Sequence, residues 1–136
     1  MLLDKSQLAA LIAQAQRDAP NETCGVIAGK DGRALEIFPL NNIDTTPRVR
    51  YNADPHELLA AFKKMDEQNW EHLAIYHSHP ASEAYPSGTD VARAFYPDAI
   101  YILISLMNPA QPNVRAFRIV DEKISEEILE VSDESS

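Results

Sequence analysis

Apolar residues along the chain switch between two spacings, and the switches mark out the elements. Leu8, Leu11, Ile12 and Ala15 recur at i, i+3, i+4 and i+7, which predicts an amphipathic helix over about Lys5 to Asp18. Asp4 or Ser6 can cap it, and Pro20-Asn21 ends it. Thr23 to Ala28 is a short β-prone run closed by Gly29-Lys30-Asp31-Gly32, a hairpin-like turn, with Ala34 to Leu40 as the returning strand. Asn41 to Pro47 reads as a loop and Arg48 to Tyr51 as a short strand. Asp54-Pro55 opens a second helix, with Asp at the cap, Pro at the first helical position and an apolar stripe of Leu58, Leu59, Phe62 and Met65.

Leu73 to Tyr76 is a strand that runs straight into His77-Ser78-His79-Pro80. Ala81 to Pro86 is small, polar and bounded by proline, hence a loop, and Ser87 caps a short third helix that includes Asp90. Ala99 to Leu106 is the most apolar strand and the candidate for the sheet centre. A turn at Asn108 to Pro112 separates it from two further strands, Val114 to Val120 and Ile124 to Val131. The expected fold is a single-domain mixed α/β sandwich of about seven strands flanked by about three helices. It should span residues 1–131, with residues 132–136 (Ser132 to Ser136) as a flexible polar tail.

Composition narrows the class. At 136 residues the chain holds one compact domain, and 45% hydrophobic residues is ordinary for a globular protein. No apolar run approaches the length of a spanning helix, and the start lacks the basic-then-apolar order of a secretory signal, so no membrane association and a cytoplasmic location are expected. Cys24 is the single cysteine. No internal disulfide and no Cys-rich zinc site can form, so a metal site has to be built from histidines and carboxylates. A net charge of -9 argues against nucleic acid, whose phosphates need a positive surface, and favours a partner with a basic patch. The sequence sets no oligomeric state.

The chemistry concentrates between His77 and Asp90. Side chains alternate along a strand, so His77 and His79 leave the same face and can converge on one ion, and Pro80 stops the strand directly after them. Ser87 and Asp90 lie three apart at a helix start and share a face. Two imidazoles and one carboxylate make three ligands and leave a fourth tetrahedral position open, the pattern of a catalytic rather than a structural zinc ion. The spacing H-x-H-x7-S-x2-D arises by chance in roughly one of two thousand sequences of this composition.

These residues resemble the motif of the JAMM (MPN-plus) metalloproteases: a Glu in an early strand, then H-S/T-H-P, then Ser and Asp at fixed spacing. Glu22 in P-N-E-T-C-G-V-I-A-G, His77-Ser78-His79-Pro80, Ser87 and Asp90 fill every position. The resemblance implies the JAMM/MPN fold, which is cytidine deaminase-like, and a zinc-dependent peptidase or isopeptidase. It implies one Zn2+ on His77, His79 and Asp90, Glu22 as general base and Ser87 as a donor to the developing oxyanion. The implied substrate is the C-terminal tail of a ubiquitin-like protein. Compact single-domain members point toward small β-grasp sulfur carriers, with residues removed after a Gly-Gly end. The alternative is a non-catalytic scaffold of the same fold, against which the intact motif speaks. A deaminase would need a P-C-x-x-C segment and a Glu in H-x-E, which one distant cysteine does not allow.

Other residues read more plainly. Ser78 points away from the ligands and is expected to be structural or to support them from behind. Cys24 is expected to be a small buried residue, and His56 and His72 surface or packing histidines. The acidic group Glu126, Glu127, Glu130, Asp133 and Glu134 reads as a solvated face. Trp70 and Tyr85 are candidates to line a substrate groove, Tyr85 the better placed of the two.

Overall fold

The computed structural model describes residues 1–133. In chain order the elements are β1 (Leu2–Asp4), α1 (Lys5–Asp18), β2 (Cys24–Lys30), β3 (Arg33–Leu40), α2 (Pro55–Gln68), β4 (Glu71–His79), α3 (Gly88–Ala92), β5 (Ile100–Ser105), β6 (Asn113–Val120), β7 (Lys123–Glu127) and β8 (Glu130–Ser132). They build one mixed sheet in the order β7-β6-β5-β4-β2-β3-β1-β8. The helices begin where the caps require. The Asp4 carboxylate accepts from the Gln7 N–H while the Gln7 side chain accepts from the Asp4 N–H, a reciprocal capping box. Asp54 caps α2 ahead of Pro55, and Asn69 ends that helix in the left-handed conformation at φ 58°.

The eight-strand order conceals a closure. β7 and β8 are the two edges, yet only Ile128 and Leu129 separate Glu127 from Glu130. Three Cα steps span at most about 11 Å, whereas eight strands laid flat would hold the edges about 34 Å apart. The sheet therefore curls until its edges nearly meet. The expected single strand Ile124 to Val131 is corrected by this geometry: its halves pair with β6 at one edge and with β1 at the other. Two further corrections belong here. Residues 2–4 form a strand that the sequence did not signal, and Arg48 to Tyr51 is turn and loop rather than strand. Ser132, expected as the first residue of the tail, pairs with Asp4 as the last residue of β8, and residues 134–136 of that tail lie outside the described residues.

Alternation sorts the strands into two packed faces. Ile27, Ala74, Tyr76, Ile100, Ile102 and Ile104 meet Leu11 and Ala15 of α1. Cys24, Val26, Ala28, Ile75 and Tyr101 meet Ala61 and Met65 of α2, with Val91 of α3 against the same cluster. Gly25 lets α1 lock onto the sheet, because a Cβ there would lie 2.2 Å from the Tyr76 ring. The Tyr76 hydroxyl donates to Gln14 of α1 at 2.5 Å, and Gln14 donates in turn to the Cys24 carbonyl. All six residues of β5 are buried, as their apolar run predicts. β5 stands third from one edge, and β4 and β2 hold the middle of the sheet. Among the described residues no helix is long and apolar enough to cross a membrane.

Candidate metal centre

β4 runs through the histidine pair and ends at His79, directly before Pro80, as the sequence pattern predicts. His77 is opposite Cys24 of β2 on one side and Leu103 of β5 on the other, and His79 is opposite Ser105. Both backbones are thus held in an internal strand, and both side chains share the face of Ile75. The face is the one α3 packs on. Ser87 caps α3 by accepting the Asp90 N–H at 3.1 Å, while Asp90 Oδ2 accepts the Ser87 N–H at 2.8 Å, and this box aims the Asp90 carboxylate back at β4.

The three side chains meet. His77 Nε2 and His79 Nε2 are 3.2 Å apart, Asp90 Oδ1 is 3.0 Å from His77 Nε2, and Asp90 Oδ2 is 3.0 Å from His79 Nε2. Bonds of about 2.0–2.1 Å in a tetrahedron place ligand atoms about 3.3 Å apart, so this triangle has the size a zinc-like ion requires. His79 Nδ1 lies 2.8 Å from the Glu83 carbonyl, which can only accept; that bond leaves the lone pair on Nε2, facing the triangle. The His77 plane is fixed differently, by stacking on Tyr51 at 4.6 Å between centroids, and its buried Nδ1 has no hydrogen-bond partner among the described residues. The donor set fits a divalent ion, and three donors leave a tetrahedral ion one coordination position for a further ligand.

Charge reinforces the arrangement. Burial pushes the Asp90 carboxyl up, but its bonds to His77 and His79 and the Ser87 N–H hold it well below the usual carboxylate range. Burial lowers His79, while Asp90, the Glu83 carbonyl and the charge of Glu22 raise it more. A cation held between these groups would take over the role of those protons.

Glu22 stands just ahead of β2 and is 6% exposed. Burial pushes its carboxyl up from 4.5 to about 7; His79 offsets part of this, and Asp90 and Asp44 add to it. Its N–H donates to the Pro47 carbonyl at 2.7 Å, and its carbonyl accepts from Asn42 Nδ2 at 3.0 Å. Ser78, on the opposite face as its position requires, accepts the Thr23 N–H at 2.8 Å and so pins the residue after Glu22 to the ligand strand. Ser87 is exposed, and accepting the Asp90 N–H leaves its own hydroxyl hydrogen for another acceptor.

The loop before α3 is anchored rather than loose. Ala84 is buried with Leu103 and Phe117, and Ser105 donates to the Ser82 carbonyl at 2.6 Å. Two clefts are lined by neighbours of the histidines: Glu83 and Ser105, beside His79, line one, and Tyr51, stacked on His77, lines the other. One of about 530 Å³ includes Glu83, Ser105, Met107 and Arg115; the other, of about 270 Å³, includes Tyr51, Leu58, Ile75 and Phe95. Tyr85 stands beside the first, edge-on to Phe117 with the Arg115 guanidinium over its ring. Trp70 does not belong here: it precedes β4, roughly 20 Å of extended chain from His77, and packs against the α2 cluster. Cys24 is buried, with its thiol pushed up to about 12 by burial, and His56 is exposed. His72 packs edge-on against Phe62 and Tyr96. Nothing in the residue pattern signals Tyr51, Asn42 or the Glu83 carbonyl, because each acts through a long-range contact or a backbone atom.

A curled mixed sheet with a His-x-His pair on an internal strand, answered by an Asp from the next short helix, defines a JAB/MPN-type domain. The chain belongs to the prokaryotic homologs of the JAB domain, whose family pattern matches residues 4–120. It is 42% identical over 124 residues to the CysO-cysteine peptidase of Mycobacterium tuberculosis, covering 90% of this chain and 84% of that protein. A desampylase of Haloferax volcanii is 38% identical over 90 residues, 65% of each chain. Among solved structures, a protein from Desulfitobacterium hafniense superposes with a TM-score of 0.88 at 37% identity, over 98% of this chain and 93% of that one. A JAB1/MPN domain protein from Archaeoglobus fulgidus shares the fold at a TM-score of 0.66 and 17% identity, over 97% of both chains.

Proposed function

We propose that this chain is a zinc-dependent metallopeptidase or isopeptidase that cuts a peptide or isopeptide bond at the C-terminal tail of a ubiquitin-like or sulfur-carrier protein. The observation that carries the reading is the triangle of Nε2, Nε2 and carboxylate oxygens about 3 Å on a side, supported by the buried Glu22 carboxyl, pushed up to about 7 and influenced by the charges of His79 and Asp90. His77, His79 and Asp90 would hold one zinc ion, since two imidazoles and a carboxylate suit zinc better than the oxygen-seeking alkaline-earth ions. A zinc ion held there supplies a Lewis acid and lowers the pKa of a coordinated water.

The chain's residues do the rest. Glu22, with a proton affinity near neutral, takes up a proton through its carboxylate and returns it to the leaving amine. Ser87 donates its hydroxyl to the carbonyl oxygen as negative charge develops there. Relatives named CysO-cysteine peptidase and, in Thermus thermophilus, probable TtuB-protein conjugate cleaving protease support this substrate class. A cytoplasmic site of action, suited to the single reduced Cys24, belongs to the same reading.

The test is incubation of the zinc-loaded protein with a β-grasp carrier extended beyond its Gly-Gly end, followed by mass spectrometry. The carrier should lose its extension, and Glu22→Ala should leave it whole. Intact carrier after incubation with fully loaded wild type would sink the proposal, and failure to take up zinc would favour the scaffold.

A further inference from the structure

Residues 41–54 close over the start of β2, and one side chain sets their shape. Asn42 Nδ2 donates to the Glu22 carbonyl and the Arg50 carbonyl, each at 3.0 Å, and reaches the Pro47 carbonyl at 3.5 Å. Asn42 Oδ1 accepts the Asp44 N–H at 3.1 Å and the Asn52 N–H at 3.0 Å. Both hydrogens and both lone pairs of the amide are therefore used. Because the Glu22 N–H donates to Pro47, this segment grips Glu22 at both its N–H and its C=O.

The same segment reaches the metal ligands on its other side. Tyr51 stacks on His77. Arg93, which ends α3, donates to the Tyr51 carbonyl at 3.3 Å and lies 3.8 Å from Asp44. One loop thus touches the residue ahead of β2, a ligand on β4 and the helix that carries Asp90.

We propose that Asn42 is a positioning residue, which by cross-linking residues 42–52 and holding the Glu22 carbonyl sets where the Glu22 carboxylate stands relative to His77, His79 and Asp90. This rests on the peptidase reading of the site. Asn42 touches neither ligand nor substrate in this role; it acts through the backbone of Glu22. The amide is specific for it. Aspartate keeps the shape but turns a carboxylate oxygen toward three carbonyl oxygens, and alanine removes all five contacts.

The experiment compares Asn42→Asp and Asn42→Ala with wild type in the full chain by three measurements. They are zinc stoichiometry with zinc alone, amide hydrogen exchange at Glu22 and Ile27, and steady-state cleavage of a carrier bearing one residue beyond Gly-Gly. Zinc should still bind one to one, because the ligands lie on β4 and α3. Exchange at Glu22 should quicken about tenfold or more with Ile27 unchanged. kcat should fall about 10- to 100-fold with KM within about twofold, the cost of misplacing a catalytic group by an ångström or less.

Unchanged kcat overturns the proposal. So does loss of zinc or of Ile27 protection in both variants, which would make Asn42 a general structural residue. If wild type binds zinc and does not cut the carrier, the peptidase reading falls. Exchange then decides the positioning claim alone: it stands if Glu22 is released selectively and fails if Glu22 stays protected.

Discussion

Glu22→Gln should stabilise the metal-free protein while abolishing its activity. Folding takes the Glu22 carboxyl from an ordinary value of 4.5 to about 7, so the folded state disfavours the charged form. The sign follows from proton binding. Below pH 4.5 the group is protonated in both states and costs nothing. Between 4.5 and 7 the unfolded chain ionises while the fold resists, and stability falls as pH rises; above 7 the penalty is complete. At about 1.4 kcal/mol per unit, the penalty at pH 8 is on the order of 2–3 kcal/mol once residual contact with water is allowed for. At pH 5 it is below about 1 kcal/mol.

Glutamine has the same shape and no charge, so it removes the penalty. For a chain of this size the gain is worth roughly 10 °C in Tm at pH 8 and a few degrees at pH 5. The assay is calorimetry of chelator-treated wild type and variant at the two pH values. A bound zinc ion stabilises the carboxylate, so the gain should shrink in loaded protein. No gain at pH 8, or an equal gain at both pH values, would refute the argument that burial destabilises this carboxylate.

Asp90→Asn should lower zinc affinity by at least about tenfold, since it removes the anionic ligand, and equilibrium dialysis against a zinc indicator measures this directly. Ser87→Ala should reduce kcat about 10- to 100-fold with zinc retained, because it removes a donor to the carbonyl oxygen; it also removes the α3 cap, at about 1 kcal/mol in denaturant unfolding. Leu11→Ala, at a fully buried contact between α1 and the sheet, should cost about 2–5 kcal/mol in the same unfolding experiment, with zinc stoichiometry unchanged in the folded fraction.

Much of the site was legible because its rules are local. Period-two alternation places His77 and His79 on one face wherever the strand lies, and the Ser87–Asp90 capping box is written in four consecutive residues. Glu22 was not legible in that way. Its backbone is held by Asn42 and Pro47, and Thr23 beside it by Ser78, from 20 to more than 50 residues away, and only its fit to a family motif singled it out. Arg48 to Tyr51 shows the opposite error. Its residues favour a strand, but among the described residues no neighbouring strand pairs them, and Asn42 accepts from Asn52 and donates to the Arg50 carbonyl in a loop over β2.

By itself the sequence determined the helices, their caps, most strands and the pairing of residue types at the ligand positions, because each follows from side-chain direction over a few residues. Tertiary structure decided what depends on closure. The run Ile124 to Val131 has one continuous pattern, and only the curl of the sheet requires it to leave one edge and join the other. β1 is three residues long and gains its place from partners at Arg33 and near residue 130. The candidate metal centre combines both kinds of information. Local spacing aims His77, His79 and Asp90, and the packing of α3 and the 41–54 loop onto one face of β4 brings their atoms within 4.8 Å of one another.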